Sequence, residues 1–159
     1  MRKLIKAVLP FATLATAFAA SQADASTHLY PGVECQPIAG STCISYDNYG
    51  VRNNCSSAQM VDCPLSASSP GSTLSQATAI VYDRHSSDNV SCSLQISNLY
   101  GDLLYNVSRV TSGENSSHMV LSWLSVNQTF GFTRLRCSIP AVESGEYSHV
   151  VGYFSETTN

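Results

Sequence analysis

Apolar and polar residues alternate along much of the chain. Val90-Ser-Cys92-Ser-Leu94-Gln-Ile96 and Leu135-Arg-Cys137-Ser-Ile139 are the clearest runs; Met119-Val-Leu121-Ser-Trp123 and Val151-Gly-Tyr153 repeat the pattern. Successive side chains of a β-strand point to opposite faces, so such runs bury one face and leave the other wet. Together with β-branched and aromatic residues bounded by Gly, Asn, Asp, Ser and Pro, they predict nine strands: 41–47, 51–55, 58–63, 77–83, 89–97, 103–110, 118–124, 131–138 and 147–155. Beyond the first 25 residues no amphipathic helix of useful length stands out. The Ser/Pro-rich stretch 64–76 reads as a long connection between sheets, because neither side of it is long enough to bury a separate core. Nine short strands in one such unit predict an all-β fold, a disulfide-stabilised two-sheet sandwich of jelly-roll or immunoglobulin-like type. The antibody signature itself is missing: Trp123 lies far beyond Cys92, and the position two before Cys137 is Leu135 rather than tyrosine.

The start of the chain follows another pattern. Arg2, Lys3 and Lys6 precede a fourteen-residue apolar stretch, Ala7 to Ala20, and then the small-x-small site Ala23-Asp24-Ala25. This is the layout of a secretory signal peptide, with cleavage expected between Ala25 and Ser26. A transmembrane anchor fits less well, since a spanning helix needs about 20 apolar residues and this stretch is shorter and contains Pro10. The domain reading is therefore a signal peptide over 1–25 and a single β-sandwich domain over 26–159, secreted or periplasmic, with no membrane span after signal removal.

Composition sharpens this. The whole chain of 159 residues is 43% hydrophobic and 12% charged, with a formal net charge of −3. Without residues 1–25 no lysine remains, and five arginines (Arg52, Arg84, Arg109, Arg134, Arg136) against ten acids leave −5. Nothing there supplies the basic stripe that nucleic acid requires, and the hydrophobic fraction is too high for disorder. Surface polarity must come from hydroxyls and amides.

Six cysteines in an exported chain read as a disulfide framework. Zinc would call for ligands two to four residues apart, whereas the closest cysteines are eight apart; no metal and no cofactor is expected. Cys92 and Cys137 both sit on the apolar face of their strands, which makes Cys92–Cys137 a bridge through the sandwich core. Closing that loop contributes roughly 4 kcal/mol on the chain-entropy model. Cys43 and Cys55 flank the turn Asp47-Asn48-Tyr49-Gly50 as two arms of a hairpin, which leaves Cys35 for Cys63. The sequential pairing Cys35–Cys43 with Cys55–Cys63 remains open on these grounds.

Tyr30-Pro31-Gly32-Val33-Glu34-Cys35, Tyr49-Gly50 with Asn53-Asn54, and Val61-Asp62-Cys63-Pro64-Leu65 follow one another along the chain. Val81-Tyr82-Asp83-Arg84-His85, Val90-Ser91-Cys92-Ser93-Leu94, Leu135-Arg136-Cys137-Ser138-Ile139-Pro140 and Val151-Gly152-Tyr153 with Glu156 continue the series. In this order they resemble a group of small exported β-sandwich proteins of myxobacteria and related proteobacteria, over nearly all of the chain after the signal. Val81 to Leu94 is the most specific part. The resemblance implies export, a bacterial origin and one β domain. The group is functionally uncharacterised, so no active site is carried over.

Candidate chemistry is sparse. There is no Gly-x-Ser-x-Gly elbow, no His-Glu-x-x-His and no phosphate-binding glycine loop. His28 reads as part of a loose N-terminal segment, His85 as a turn residue, and His118 and His149 as polar rim residues at strand starts. The loop Asp83-Arg84-His85-Ser86-Ser87-Asp88-Asn89 is the densest polar cluster. Asp83, Asp88 and Asn89 offer oxygens for calcium, but the spacing matches no calcium loop, and local capping of a turn explains the same residues. Tyr46, Tyr49, Tyr100 and Tyr105 fall near turns, where an aromatic face with a polar tip suits a sugar ring. Sequons begin at Asn54, Asn89, Asn106, Asn115 and Asn127 and carry weight only in a glycosylating secretory route. The leading expectation is a non-catalytic exported binding or envelope-associated module whose partner the sequence does not identify, a glycan and a cell-envelope component being the two candidates. The alternatives are a secreted hydrolase or hydrolase accessory, and a self-assembling coat component that pairs through an exposed edge strand.

Overall fold

The computed structural model describes residues 25–38, 43–65, 72–114, 117–129 and 131–158. The expected signal segment thus lies outside the described residues, apart from Ala25 at its end. The nine predicted strands are all present, with shifted ends: β3 (Ile44–Asp47), β4 (Gly50–Asn53), β5 (Gln59–Leu65), β6 (Thr73–Tyr82), β7 (Ser91–Ser97), β8 (Leu103–Val110), β9 (Met119–Thr129), β10 (Phe132–Ile139) and β11 (His149–Thr158). Two further strands precede them, β1 (Ala25–Pro31) and the two-residue β2 (Gln36–Pro37), separated by a 3-10 turn, Gly32–Glu34. The expected linker 64–76 is shorter than its composition implied, because Pro64 and Leu65 belong to β5 and Thr73 to Gln76 belong to β6.

All pairings are antiparallel. One sheet runs β3-β4-β11-β6-β9, with β1 paired to the second half of β11, and the other runs β2-β5-β10-β7-β8. If β1 and β5 to β11 are numbered 1 to 8, the two sheets have the orders 1-8-3-6 and 2-7-4-5. That is jelly-roll topology, and it decides between the two sandwich types that alternation alone left open. The β3–β4 hairpin is an insertion that fills the remaining half of the β11 edge beside β1.

The core forms where the two inner faces meet. Val51, Val81, Val150, Ala77, Ala79 and Tyr153 come from the first sheet, and Val61, Leu94, Ile96, Leu135 and Ile139 from the second, all at 1% exposure or less. Trp123 of β9 fills one side of this layer, and its indole N–H donates to the Val107 carbonyl of β8 at 2.6 Å. That bond ties the edge of one sheet to the edge of the other. At the other side the 3-10 turn carries the chain from sheet to sheet across β11. A Cβ on Gly32 would lie 2.0 Å from the Val150 carbonyl oxygen, and one on Gly50 (φ +122°) 2.2 Å from the same atom. Both approaches converge on the irregularity between Val150 and Gly152, so glycine is a packing requirement at these two positions.

Three disulfides join Cys35–Cys63, Cys43–Cys55 and Cys92–Cys137. Cys92 and Cys137 are directly opposed residues on β7 and β10, neighbours in one sheet. The bridge therefore staples two strands on the inner face and does not cross the core, as facing sheets would have required. Cys35–Cys63 pins the crossing between sheets to β5, and Cys43–Cys55 closes the foot of the β3–β4 hairpin. Three bridges place the chain among proteins that fold where thiols oxidise. Among the described residues no helix is long and apolar enough to cross a membrane.

Candidate functional site

Four connections meet at one end of the sandwich: the β3–β4 turn and the β6–β7, β8–β9 and β10–β11 loops. A single buried carboxylate ties three of them together. Asp83 is fully buried; its Oδ1 accepts from the His85 amide (3.2 Å) and the Ser148 hydroxyl (3.1 Å). Its Oδ2 accepts from the Val90 amide (3.1 Å) and the Thr111 hydroxyl. A buried charge is tolerable only when its lone pairs are satisfied this completely.

The rest of the polar loop is also accounted for locally. His85, expected as a plain turn residue, is buried, and its Nδ1 accepts the Ser87 and Asp88 amides at 3.3 and 2.9 Å. Asn89 accepts from the Gly113 amide at 2.7 Å, and Asp88 stays exposed. Asp83, Asp88 and Asn89 thus serve different partners and do not converge as calcium ligands would. Across the gap, Ser144 (φ 52°) and Gly145 (φ 83°) turn the β10–β11 loop, so that Glu143 and Glu146 oppose each other as a small bridge. Glu143 accepts the amide and hydroxyl of Ser86 at 2.6 and 2.8 Å; these bonds, the backbone one first, hold its carboxyl below the usual range.

On this rigid rim lies a cleft of about 390 Å³ lined by Asp47, Tyr49, Arg52, Tyr82, His118, Glu146, Tyr147 and His149. Strand register builds it. Ser45 opposes Arg52, Arg52 opposes His149, and His149 opposes Tyr82, one residue per strand across β3, β4, β11 and β6. Their neighbours Val51, Val150 and Val81 point into the core, so alternation turns this row outward. His118, just before β9, continues it with its ring 5.6 Å from that of Tyr82.

Each charge in the cleft has an opposite neighbour. Asp47 Oδ2 forms an ion pair with Arg52 Nη1 at 3.1 Å and lies 3.2 Å from His149 Nε2, while its Oδ1 accepts the Tyr49 amide at 2.8 Å. Burial opposes the Asp47 charge, but the Tyr49 amide, the His149 hydrogen bond and the charges of His149 and Arg52 outweigh it and keep the carboxyl below its ordinary value. The other His149 nitrogen, Nδ1, lies 3.0 Å from the Tyr147 carbonyl oxygen. The Arg52 guanidinium lies 4.4 Å above the Tyr147 ring. Arg84 lies 5.5 Å from the Tyr82 ring and donates to Glu146 at 3.1 Å. The walls are therefore three phenol rings interleaved with fixed donors and acceptors, an arrangement suited to a polyhydroxylated ligand with apolar ring faces.

Of the tyrosines singled out from sequence, only Tyr49 lines this cleft. Tyr46 donates to the Cys35 carbonyl at 3.0 Å and steadies the sheet crossing. Tyr105 packs against the core, and Tyr100 stands at the opposite end. His118 and His149 are cleft residues rather than bystanders on a rim. His28 is part of β1, opposite Ser155 and 3.3 Å from the Ser26 hydroxyl, not in a loose tail. Asp47, Arg52, Tyr82, Glu146 and Tyr147 had no signal in the sequence, since only register across four strands brings them together.

In sequence, no family model and no curated protein matches the chain. In structure it is similar to the CBM36-1 domain of a multidomain xylanase from the hindgut metagenome of Trinervitermes trinervoides. The TM-score is 0.51 at 13% identity, over 82% of this chain and 96% of that one. It is also similar to a carbohydrate-binding module CBM36 in complex with calcium and xylotriose, with a TM-score of 0.50 at 11% identity over 81% and 98% of the two chains. At such identities the likeness is one of fold: this chain shares its sandwich with carbohydrate-binding modules.

Proposed function

We propose that the protein is an exported, non-catalytic module that binds carbohydrate in the cleft at the loop end of the first sheet. The observation that carries this reading is the outward row Arg52-His149-Tyr82 with Tyr49 and Tyr147 beside it: aromatic faces and hydrogen-bonding groups held on strands and a braced rim. The fold shared with carbohydrate-binding modules supports it. Arg52 is matched by Asp47 and Arg84 by Glu146, so the arginines and carboxylates of the cleft balance, which favours a neutral glycan as the ligand. Calcium is no part of the proposal, since the candidate oxygens of the polar loop are turned to other partners.

A hydrolase would also place two carboxylates in a cleft, and Asp47 and Glu146 are both there. The general acid of such a pair must hold its proton near neutral pH. Asp47 is shifted the opposite way, and Glu146 is tied to Arg84. That favours binding over catalysis.

The test is titration calorimetry with neutral oligosaccharides and with uronate- or sulfate-bearing ones, at low and high salt. Binding of a neutral glycan with little salt dependence is expected. Tyr82→Ala should lose about 1–2 kcal/mol of that affinity, roughly tenfold. Affinity only for acidic glycans, falling steeply with salt, would contradict the neutral-ligand reading; hydrolysis of the oligosaccharide during the titration would contradict the non-catalytic one.

A further inference from the structure

The end of the sandwich opposite the cleft has a different surface. Leu99 and Tyr100 crown the β7–β8 turn at 78% and 92% exposure, Leu103 and Leu104 open β8 at 52% and 51%, and Phe132 opens β10 at 68%. Phe132 opposes Ser97 and Ser97 opposes Leu103, so Phe132 and Leu103 lie on one face with a strand between them. The charge in the turn, Asp102, is held by the Asn98 side chain at 2.8 Å. The five residues expose roughly 600 Å², most of the ~800 Å² per partner that a stable interface buries.

We propose that two copies of this chain pair here about a two-fold axis, with their β8 strands side by side and antiparallel. Among the described residues β8 is the outer strand of its sheet and pairs with β7 alone. The later part of its free edge is covered from β9, where Trp123 donates to the Val107 carbonyl and Arg109 donates to the Ser122 carbonyl. The early part, Leu103 to Tyr105, borders the apolar patch. Edge strands are commonly guarded by lysine, proline or inward charge; from Leu103 to Ser108 there is none of these. A bilayer would also accept the apolar side chains, but it would strip water from the edge backbone groups and offer them no partner. A second β8 supplies those partners. Paired in this way, the two clefts stay open at the far ends of the dimer and point apart, so a polymer presenting repeated sites would be held by both.

Sedimentation velocity of the exported, disulfide-bonded protein across a wide concentration range tests this. A concentration-dependent dimer is expected for the wild type and for Val120→Asp, an exposed change on the outer face of the first sheet. Leu103→Asp should weaken the dimer roughly thirtyfold or more, the weight of an interface hot spot; Tyr100→Ser should weaken it too, and serves if Leu103→Asp misfolds. A wild-type monomer at every concentration, or a dimer undiminished in both tip variants, would overturn the proposal. Flotation of the wild-type monomer with phosphatidylcholine vesicles would overturn it as well, by assigning the patch to a membrane.

Discussion

The two ends of this sandwich are made by the same strands and differ in nearly every other respect. At the cleft end, three loops converge on Asp83, the arginines of the cleft are paired with carboxylates, and bonds such as those of Asp83 and Glu143 join elements far apart in sequence. At the tip end, the β7–β8 turn is closed locally by Asn98, which accepts the Tyr100 and Asp102 amides at 2.9 and 2.8 Å, and the side chains around it are apolar and exposed. A jelly roll needs its loops only to reverse direction, so the bracing at one end is beyond what the fold requires. Braced polar groups with aromatic faces suit a specific ligand; an unbraced apolar surface beside a free strand edge suits association. The difference teaches that order was invested where geometry matters and omitted where area suffices.

The contrast can be broken or sharpened by substitution. The largest effect is expected from Cys92→Ala, which removes the staple between β7 and β10 and should cost about 4 kcal/mol on denaturant unfolding. A small loss would mean that the bridge closing this 45-residue separation does little beyond the β7–β10 pairing it lies on. Asp83→Ala comes next. It strands two buried amides and the Ser148 hydroxyl proton, so a loss of about 3 kcal/mol is expected. Hydrogen exchange should show the loosening in loops 84–90, 111–114 and 140–148 and not in the β7–β8 turn; equal loosening at both ends would end the distinction drawn here.

A smaller effect tests the charge balance of the cleft. The folded-state pKa of Asp47 is depressed, so the stability it contributes is present above its ordinary value of 3.8 and is lost as pH falls through the depressed value. Asp47→Asn, which breaks the partly exposed pair with Arg52, should cost up to about 1 kcal/mol at neutral pH and flatten this part of the acid limb in denaturation curves. An unchanged acid limb would show that the Arg52 and His149 contacts are not made in solution. The smallest effect on stability is expected from Leu103→Asp, within about 0.5 kcal/mol, because an exposed tip residue supports no core contact. A large loss there would make the tip a structural element rather than a free surface.

Much of the fold was legible because alternation is a local property. Any stretch such as Val90 to Ile96 shows which face it buries without reference to its neighbours. β1 escaped because its inward positions are Ser26, His28 and Tyr30, opposite Thr157, Ser155 and Tyr153, so no hydrophobic period marks it. β2 is too short to carry a period at all. The apolar setting of Cys92 and Cys137 was readable, but their being neighbours in one sheet was not, since alternation names a face and not a partner. The cleft was almost invisible for the same reason: Arg52, Tyr82 and His149 are distant along the chain and each looks like an ordinary outward residue. The polar loop had the opposite fate. Its density of Asp, His and Asn drew attention to ligand binding, whereas Asp83 is buried as a structural hub, a role that depends on Thr111 and Ser148 arriving from other loops.

By itself, then, the sequence determined the class of structure: strands throughout, one apolar face each, cysteines placed on that face, and a surface without lysine beyond residue 25. These follow from period-two patterning and composition, which act within a few residues. Tertiary structure decided the jelly-roll order, the register that sets Arg52, His149 and Tyr82 in one row, and the separation of a braced polar end from an apolar one. Such features depend on which strands meet and in what alignment. The free energy that selects them comes from packing two whole faces together, and no local pattern along the chain encodes that choice.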